Sequence, residues 1–287
     1  MATAIRSMAA PTLPPGFQPS YIELAHQLAD AAAVITRKYF RTPFDVESKV
    51  DASPVTIADK QAEEVMRAMI RKACPGHSIF GEEYGVELGS GEGSRYTWVL
   101  DPIDGTKSFI TGKPLFGTLI SLLHDGTPVL GIIDQSIMKE RWLGVAGQPT
   151  TLNGVAIQTR PCPELKLAYL YATTPHMFSG ATETSFNRVR DAVRIPMYGC
   201  DCYAYGLLAA GLADVVVEAD LKPYDYMALV PIIQGAGGCV TDWRGQPLRW
   251  SPPQPGQELV ESWPGEVLAA GDARVHSEAL KLLDWKL

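Results

Sequence analysis

The chain has 287 residues, 46% of them hydrophobic and 20% charged, which is enough to bury a large core in one big domain or in two smaller ones that share an interface. Its 25 basic and 32 acidic residues give a net charge of −7, which argues against a nucleic-acid or anionic-membrane partner. No apolar run reaches the about 18 residues that a membrane-spanning helix needs, and the five scattered cysteines favour reduced thiols over disulfides.

The N-terminus has an unusual composition. Residues 1–21 contain no acidic residue, a single arginine at Arg6, and many Ala, Ser, Thr and Pro. This composition is compatible with the remnant of an organelle transit peptide or with an ordinary loose terminus. We therefore expect residues 1–19 to form a flexible segment.

Apolar residues at helical spacing predict two helices in the first half. The first is expected over residues 21–40, with Ser20 and Glu23 as a capping box, and the second from Thr56 to Cys74. A short buried strand, residues 98–100, then runs directly into Asp101. Residues 115–123 and 129–134 flank a turn and predict a β-hairpin.

The second half alternates strands and helices again. The predicted elements are a strand over 168–172, a helix over 203–210, a strand over 215–218, a helix from Asp225 to Gly237-Gly238, and a strand over 239–243. Pro231 predicts a kink in the last helix. Punctuation by Gly and Pro at residues 148–165 predicts a division into an N-terminal half, 20–155, and a C-terminal half, 156–287, with the site between two mixed α/β halves.

The segment Asp101-Pro102-Ile103-Asp104-Gly105-Thr106 is the most informative one. Two carboxylates three residues apart at the end of a buried strand lose water and repel each other, and a divalent cation removes that penalty. Hard oxygen ligands suit Mg²⁺, which retains waters and takes further ligands from phosphate. Taken alone, the segment is also compatible with a turn followed by a helix cap.

Two further acidic segments favour the metal site. Gly81-Glu82-Glu83 follows the apolar Ile79-Phe80, and a polar segment from Lys49 to Asp59 leads into the second predicted helix. Singly, these are typical of a solvated face and of a first-turn dipole partner. Together with the hexapeptide, they place three acidic strand or helix ends within the first 104 residues and indicate one common site.

These elements resemble the inositol monophosphatase superfamily of metal-dependent phosphatases. Gly-Glu-Glu, Asp-Pro-Ile-Asp-Gly-Thr and Pro223-Tyr224-Asp225 occur in the order of that family, with Tyr224 in place of its usual tryptophan and Gln234 in place of a frequent glutamate. The resemblance covers about residues 20–280. It implies a layered αβαβα sandwich of the sugar-phosphatase type and a homodimer.

The resemblance also implies the roles of individual residues. The implied metal ligands for two or three Mg²⁺ ions are Glu82, Asp101, the Ile103 carbonyl, Asp104 and Asp225. Asp59 and Thr106 would orient the attacking water, Asp59 serving a further, weaker metal, while Gly105 and Thr106 would offer backbone N–H groups to phosphate. No phosphoenzyme is implied, because metal-activated water attacks the phosphorus directly.

The pocket wall opposite the metal ions would determine which phosphate ester the enzyme prefers. Asp201 stands where inositol phosphatases have an Arg-Ser-x-Gly type sequence, and Glu218 matches a substrate-binding glutamate of the superfamily. An acidic wall suits cationic histidinol phosphate, and the surrounding residues resemble plant, plastid-type histidinol-phosphatases of the superfamily. That implies histidine biosynthesis in the chloroplast stroma. Asp201 as a simple turn residue and a cytoplasmic location are the alternatives.

Other functions fit the sequence less well. The main alternative is hydrolysis of inositol-1-phosphate or L-galactose-1-phosphate. A bisphosphate nucleotidase would need a second basic pocket, which is not evident. A dinucleotide-binding module is disfavoured because Gly235-x-Gly237-Gly238 follows a helix rather than opening one. An inactive metal-binding scaffold would require a lost ligand, and every implied ligand is present.

Overall fold

The computed structural model describes residues 12–48, 54–253, 256–257, 259, 263 and 265–283. The α-helices of this part are α1 (Ser20–Tyr39), α2 (Ile57–Ala73), α3 (Thr106–Ile110), α4 (Gly180–Ala192), α5 (Tyr203–Ala209), α6 (Pro223–Tyr226), α7 (Leu229–Gly235) and α8 (Ala273–Leu283). The first strands are β1 (Val46–Ser48), β2 (Pro54–Thr56), β3 (Ser78–Gly81), β4 (Gly85–Glu87), β5 (Tyr96–Asp104), β6 (Gly117–His124), β7 (Thr127–Gln135) and β8 (Glu140–Val145). The remaining strands are β9 (Thr151–Leu152), β10 (Val155–Ala156), β11 (Tyr169–Ala172), β12 (Ile195–Tyr198), β13 (Val215–Glu218), β14 (Cys239–Thr241) and β15 (Val267–Ala270).

Two large sheets and three helical layers form the predicted αβαβα sandwich. The first sheet has the order β10-β9-β8-β7-β6-β5-β3-β4, and the second has the order β12-β11-β13-β15-β14. Helices α1 and α2 cover one face of the first sheet, α5, α6 and α7 lie between the sheets, and α4 and α8 cover the outer face of the second. Strands covered on both faces, such as β6 and β7, are mostly apolar and are buried along nearly their whole length.

A pair of glycines allows helix α7 and the residue before it to approach the first sheet closely. Gly131 on β7 pairs with Gly144 on β8, and a Cβ at these positions would lie 1.9 Å from the Ala228 carbonyl oxygen and 2.4 Å from the Ile232 nitrogen. The helix backbone therefore rests directly on the sheet. This contact joins the two halves of the chain, which share one hydrophobic cluster. The division at residues 155 and 156 itself stays a prediction.

Several predicted element bounds are confirmed and others are corrected. Helix α2 begins after Thr56, as predicted, whereas α1 has Pro19 at its N-cap without a side-chain cap bond, so the Ser20 capping box is wrong. The helix predicted from Asp225 is interrupted at Met227 and Ala228. Pro231 explains this break, because it has no N–H for the carbonyl four residues earlier and its ring crowds that carbonyl.

The predicted flexible N-terminus is only partly described. Residues 1–11 lie outside the described residues, as do residues 49–53 of the polar segment before α2. Leu13 and Phe17 pack against the cluster between α1, α2 and the first sheet, and Phe17 makes an edge contact with Tyr21. The flexibility of residues 1–19 itself stays a prediction. In the part of the chain that the structure describes, no helix combines the length and apolarity needed to cross a membrane.

Candidate metal and phosphate site

A bulge in β5 brings Asp101 and Asp104 to the same side of the sheet. Residues three apart on a regular strand point to opposite faces. Here Asp101 pairs with Leu119 and Asp104 pairs with Gly117, so β5 contains one residue more than β6 over this stretch. Pro102 lies in the bulge, where a missing N–H is tolerated, and its carbonyl accepts a hydrogen bond from Thr118 Oγ1 at 2.8 Å.

Asp225 completes a cluster of three carboxylates. Carboxylate oxygens of Asp101, Asp104 and Asp225 all lie within 4.8 Å of one another. Asp225 is in the first turn of α6 and accepts a hydrogen bond from the Lys222 N–H at 2.6 Å, while Asp101 Oδ1 accepts one from the Ile103 N–H at 3.0 Å. Both halves of the chain therefore contribute to one acidic site, as predicted for its location.

The cluster is electrostatically strained without a counter-charge. Burial, followed by the charges of Glu82 and Asp104, raises the pKa of Asp101 well above its usual range. Burial and the neighbouring Asp201 and Asp225 raise the pKa of Asp104 in the same way. Burial, then Glu82, raises the pKa of Asp225 to about 8. Mutual repulsion of this kind is relieved when a divalent cation binds, so the donor set fits Mg²⁺.

Asp59 supplies an unpaired oxygen next to this cluster. Its side chain is fully buried, and Oδ2 accepts hydrogen bonds from the Thr56 N–H at 2.8 Å and from the Thr56 hydroxyl at 2.6 Å. Oδ1 is buried and has no hydrogen-bond partner among the described residues. Burial is the main cause that raises the pKa of Asp59 to about 6, and Glu82 adds to it. A buried carboxylate oxygen without a donor fits a site for a cation or a bound water.

Glu82 follows β3 at the edge of the same cluster. Its N–H donates to the Leu100 carbonyl at 3.2 Å, so the residue lies beside the one that precedes Asp101. Its charge raises the pKa of Asp59, Asp101 and Asp225. Asp101, Asp104 and Asp225 therefore form the compact cluster, and the charges of Glu82 and Asp59 act on it from β3 and α2.

Ile103, Gly105 and Thr106 form the turn from β5 into α3. The Ile103 side chain is buried against Ala58 and Phe109, and its carbonyl accepts a hydrogen bond from Thr106 Oγ1 at 3.1 Å. A carbonyl oxygen has two lone pairs, so this bond leaves one for a cation. Gly105 has a φ of 85°, which favours glycine, and it places Thr106 at the start of α3, where backbone N–H groups have no intrahelical acceptor.

Asp201 and Glu218 line the side of the site that the second half contributes. Asp201 Oδ2 accepts a hydrogen bond from Ser108 Oγ at 3.1 Å, and a Cβ at Gly105 would lie 2.9 Å from the same oxygen. Burial raises the pKa of Asp201, and hydrogen bonding to Ser108 opposes the shift. Asp201 also raises the pKa of Asp104, so its charge acts on the carboxylate cluster, while Lys113 and Lys107 lower the pKa of Asp201 itself.

Glu218 is more enclosed than its predicted role implies. It is 2% exposed, and its two oxygens accept hydrogen bonds at 2.8 Å each, Oε1 from the Thr173 N–H and Oε2 from the Tyr205 hydroxyl. Burial raises its pKa, and these hydrogen bonds oppose the shift. The carboxylate therefore adds negative charge to the wall while its oxygens are held by protein donors.

Four residues of the site were not predicted from the sequence. The Ser108 hydroxyl donates to Asp201, and the Thr173 N–H and the Tyr205 hydroxyl donate to Glu218. The Cys202 N–H donates to Asp104 Oδ2. Thr173 is 45 positions from Glu218 and Cys202 is 98 from Asp104, so no local spacing pattern indicates these contacts. Tyr205 had a detectable signal, since it lies on a predicted helix beside Asp201.

Known proteins of one family match this chain over nearly its whole length. The model of the inositol monophosphatase family matches residues 18–281. The bifunctional phosphatase IMPL2, chloroplastic, of Arabidopsis thaliana is 54% identical over 265 residues, covering 92% of this chain and 75% of that protein. A histidinol-phosphatase of Chlorobaculum parvum is 37% identical over 228 residues, which is 78% of this chain and 86% of that protein.

A solved structure supports the same assignment. An inositol monophosphatase from Zymomonas mobilis superposes with a TM-score of 0.80 at 47% identity, covering 92% of this chain and 98% of that one. The fold, the carboxylate cluster and the sequence matches agree with each other. The chain belongs to the inositol monophosphatase family of metal-dependent phosphatases and is a phosphoric monoester hydrolase that acts on small phosphate esters.

Proposed function

We propose that the protein hydrolyses L-histidinol phosphate to L-histidinol and phosphate with the help of Mg²⁺. The observation that carries the choice of substrate is the acidic wall of Asp201 and Glu218, which continues the metal cluster on the side of the second half. Histidinol phosphate has an ammonium group and a titratable imidazole, and both complement such a wall. An uncharged polyol phosphate gains nothing from these two charges.

Two or three Mg²⁺ ions would be held by the carboxylates of Glu82, Asp101, Asp104 and Asp225 and by the Ile103 carbonyl, with Asp59 next to the weakest ion. When bound, Mg²⁺ supplies positive charge for the phosphate oxygens and acidifies water. The unpaired Oδ1 of Asp59 supports this assignment, because a buried anion is tolerated only beside a compensating charge or donor.

The chain's own residues orient the reacting groups. Thr106 is fixed by its hydroxyl bond to the Ile103 carbonyl, and this hydroxyl oxygen can accept a hydrogen bond from the attacking water. Asp59 Oδ1 offers a second acceptor, which would aim the water at phosphorus. The N–H groups of Gly105 and Thr106, at the start of α3, would donate to phosphate oxygens and hold the ester in line for displacement.

The wall would hold the other end of the substrate. Since both Glu218 oxygens are bound to protein donors, we assign to Glu218 a contribution to the local potential and to Asp201 the contact with the cation. The relative from Chlorobaculum parvum, named histidinol-phosphatase, supports this substrate. The 47% identical inositol monophosphatase of Zymomonas mobilis favours inositol-1-phosphate as a second candidate substrate, with L-galactose-1-phosphate as a related polyol ester.

Location and assembly are part of the same proposal. The Arabidopsis relative is named as chloroplastic, and the acid-free segment over residues 1–21 agrees with a plastid stroma rather than the cytoplasm. Detection of the protein by antibody in the stromal fraction of isolated chloroplasts tests this. We also propose a homodimer, which light scattering would detect as twice the chain mass.

Substrate choice is tested by the ratio of two activities in Asp201→Asn. Loss of a charge-assisted hydrogen bond, worth about 1.5–3 kcal/mol, lowers kcat/KM for histidinol phosphate by roughly 10- to 150-fold. Activity on inositol-1-phosphate changes little, because that ester has no cation. Asp220→Asn is the matched control, since Asp220 is exposed and lies two residues beyond Glu218. Equal losses on both esters would mean that Asp201 supports the site rather than the specificity.

A further inference from the structure

Glu63 is a fully buried carboxylate whose backbone partners all lie in the segment directly after Glu82. Its Oε2 accepts a hydrogen bond from the Glu83 N–H at 2.8 Å, and its Oε1 accepts one from the Tyr84 N–H at 3.2 Å. These two amides belong to the residues that directly follow Glu82 in the tight connection between β3 and β4. The carboxylate therefore holds the backbone of this connection, with the chain in one defined conformation.

Arg67, one turn further along α2, compensates this buried charge and holds the other end of the same connection. Its Nε donates to Glu63 Oε1 at 2.7 Å, and its Nη2 donates to the Gly85 carbonyl. Arg67 is 3% exposed, so the pair is removed from water on both sides. A buried ion pair costs desolvation energy, which is offset here by the bond within the pair, by bonds to the backbone of residues 83–85 and by the contact of Arg67 with the Glu87 carboxylate.

The fit of Glu63 against the strand is equally close. A Cβ at Gly81, the last residue of β3, would lie 2.0 Å from Glu63 Oε1. On the side of the connection that faces β5, the Glu82 N–H donates to the carbonyl of Leu100, the residue before Asp101. Glu82 is thus fixed between β5, which carries the metal cluster, and the Glu63–Arg67 pair on α2.

We propose that the Glu63–Arg67 pair is a positioning device that sets the Mg²⁺ affinity of the site by fixing Glu82 relative to Asp101. This inference rests on the proposed role of Glu82 as a metal ligand. Neither Glu63 nor Arg67 contacts the carboxylate cluster in the described contacts, so their effect passes through the 82–85 backbone. Groups that orient metal ligands from behind commonly change metal affinity by about 10- to 100-fold when removed.

The test compares Glu63→Gln with Glu64→Gln. Glu64 is the next residue of α2 and its side chain is exposed, which makes it a matched control. Mg²⁺ binding is measured by calorimetry without substrate, and the Mg²⁺ concentration for half-maximal phosphate release is measured separately. We expect the Mg²⁺ dissociation constant of Glu63→Gln to rise by roughly 10-fold or more. At saturating Mg²⁺, Glu63→Gln should recover most of the wild-type kcat. Glu64→Gln should have the wild-type Mg²⁺ dissociation constant and kcat.

Arg67→Lys keeps the charge but loses the fork that reaches the Gly85 carbonyl, and it serves if Glu63→Gln does not fold. It is expected to weaken Mg²⁺ binding by a smaller factor in the same direction. Folded variants with a lowered Tm but unchanged Mg²⁺ affinity would overturn the proposal and leave the pair a purely structural role. Failure of wild type itself to bind Mg²⁺ would instead contradict the proposed function.

Discussion

Asp59 and Glu63 lie one turn apart on the same face of α2, and both carboxylates are fully buried, but only Glu63 is fully hydrogen-bonded within the protein. Asp59 Oδ1 has no partner among the described residues. Burying an unpaired charge in a protein interior costs several kcal/mol. The difference in hydrogen bonding between Asp59 and Glu63 therefore separates a functional carboxylate from a structural one. In the proposed mechanism, helix α2 therefore supports the site in two ways, through Asp59 directly and through Glu63 behind Glu82.

The first prediction is that Asp101→Asn stabilises the metal-free protein. Asp101 is surrounded by Glu82, Asp104 and Asp225, which raise its pKa, so removal of its charge relieves repulsion, while Asn Oδ1 can still accept the Ile103 N–H. In chelator, Tm should rise by a few degrees, corresponding to about 1 kcal/mol. Mg²⁺ should stabilise wild type and not the variant. A lower Tm in chelator would show that the carboxylates are not in conflict.

The second prediction concerns Thr106. Thr106→Ala removes the hydroxyl that bonds the Ile103 carbonyl and, in the proposed mechanism, orients water rather than ester. We expect kcat to fall by roughly 10²-fold while KM changes little. Thr106→Ser keeps the hydroxyl and should retain most of the activity. An unchanged kcat with a much larger KM would move Thr106 from water positioning to substrate binding.

The third prediction concerns the contact between the two halves. Gly131→Ala places a Cβ 1.9 Å from the Ala228 carbonyl oxygen, and neither backbone can move away easily. The free energy of unfolding in urea should fall by about 1–3 kcal/mol, or more if α7 shifts. Val155→Ala, on a side chain that is 68% exposed, is a control that should change stability by much less. Wild-type stability in Gly131→Ala would contradict the close packing of α7.

The fourth prediction is that protonation of His77 in mild acid destabilises the fold. Burial lowers the pKa of His77 to about 4, and its Nδ1 accepts a hydrogen bond from the Trp98 indole N–H, which requires the unprotonated form. Because the folded pKa of His77 lies below the unfolded value, the native state binds fewer protons at this group, and the contribution of His77 to stability falls as pH drops from about 6.5 towards 4. The raised pKa values of Asp59 and Asp225 act in the opposite direction, so the effect is read as a difference between variant and wild type.

Urea unfolding between pH 7.5 and 5 measures this slope. As the pH falls over this range, His77→Gln should lose less stability, or gain more, than wild type, since the titrating imidazole is gone. His176→Gln is the control, because His176 is exposed and should leave the slope unchanged. Identical slopes in the wild type and both variants would show that His77 does not contribute to the acid sensitivity.

Elements set by local chemistry were predicted well from the sequence. Helix α2 begins directly after Thr56, as expected, and the hairpin of β6 and β7 turns at Asp125 and Gly126, both with positive φ, as the Asp-Gly pair indicates. The common face of Asp101 and Asp104 was not derivable in this way. It depends on a bulge that the pairing with β6 determines, and this pairing lies outside the local sequence.

Buried charges were the other limit. Glu63 and Arg67 are spaced four apart on α2, a pattern typical of an exposed helical ion pair, and only the tertiary structure shows that both are buried against residues 83–85. The α7 break was partly predicted through Pro231. The close contact of α7 with Gly131 and Gly144 could not be predicted, because these glycines belong to a sheet in the other half of the chain.

The central claim is tested most directly by phosphate release from L-histidinol phosphate, inositol-1-phosphate and L-galactose-1-phosphate, with Mg²⁺ and with excess chelator. Wild type should show its highest kcat/KM on histidinol phosphate and no activity in chelator, with full recovery when Mg²⁺ is restored. Asp104→Asn, the control, should lower kcat by at least about 10³-fold on every ester, because a main electrostatic group is lost. Full activity in chelator would contradict the metal mechanism, and a clear preference for inositol-1-phosphate would contradict the proposed substrate.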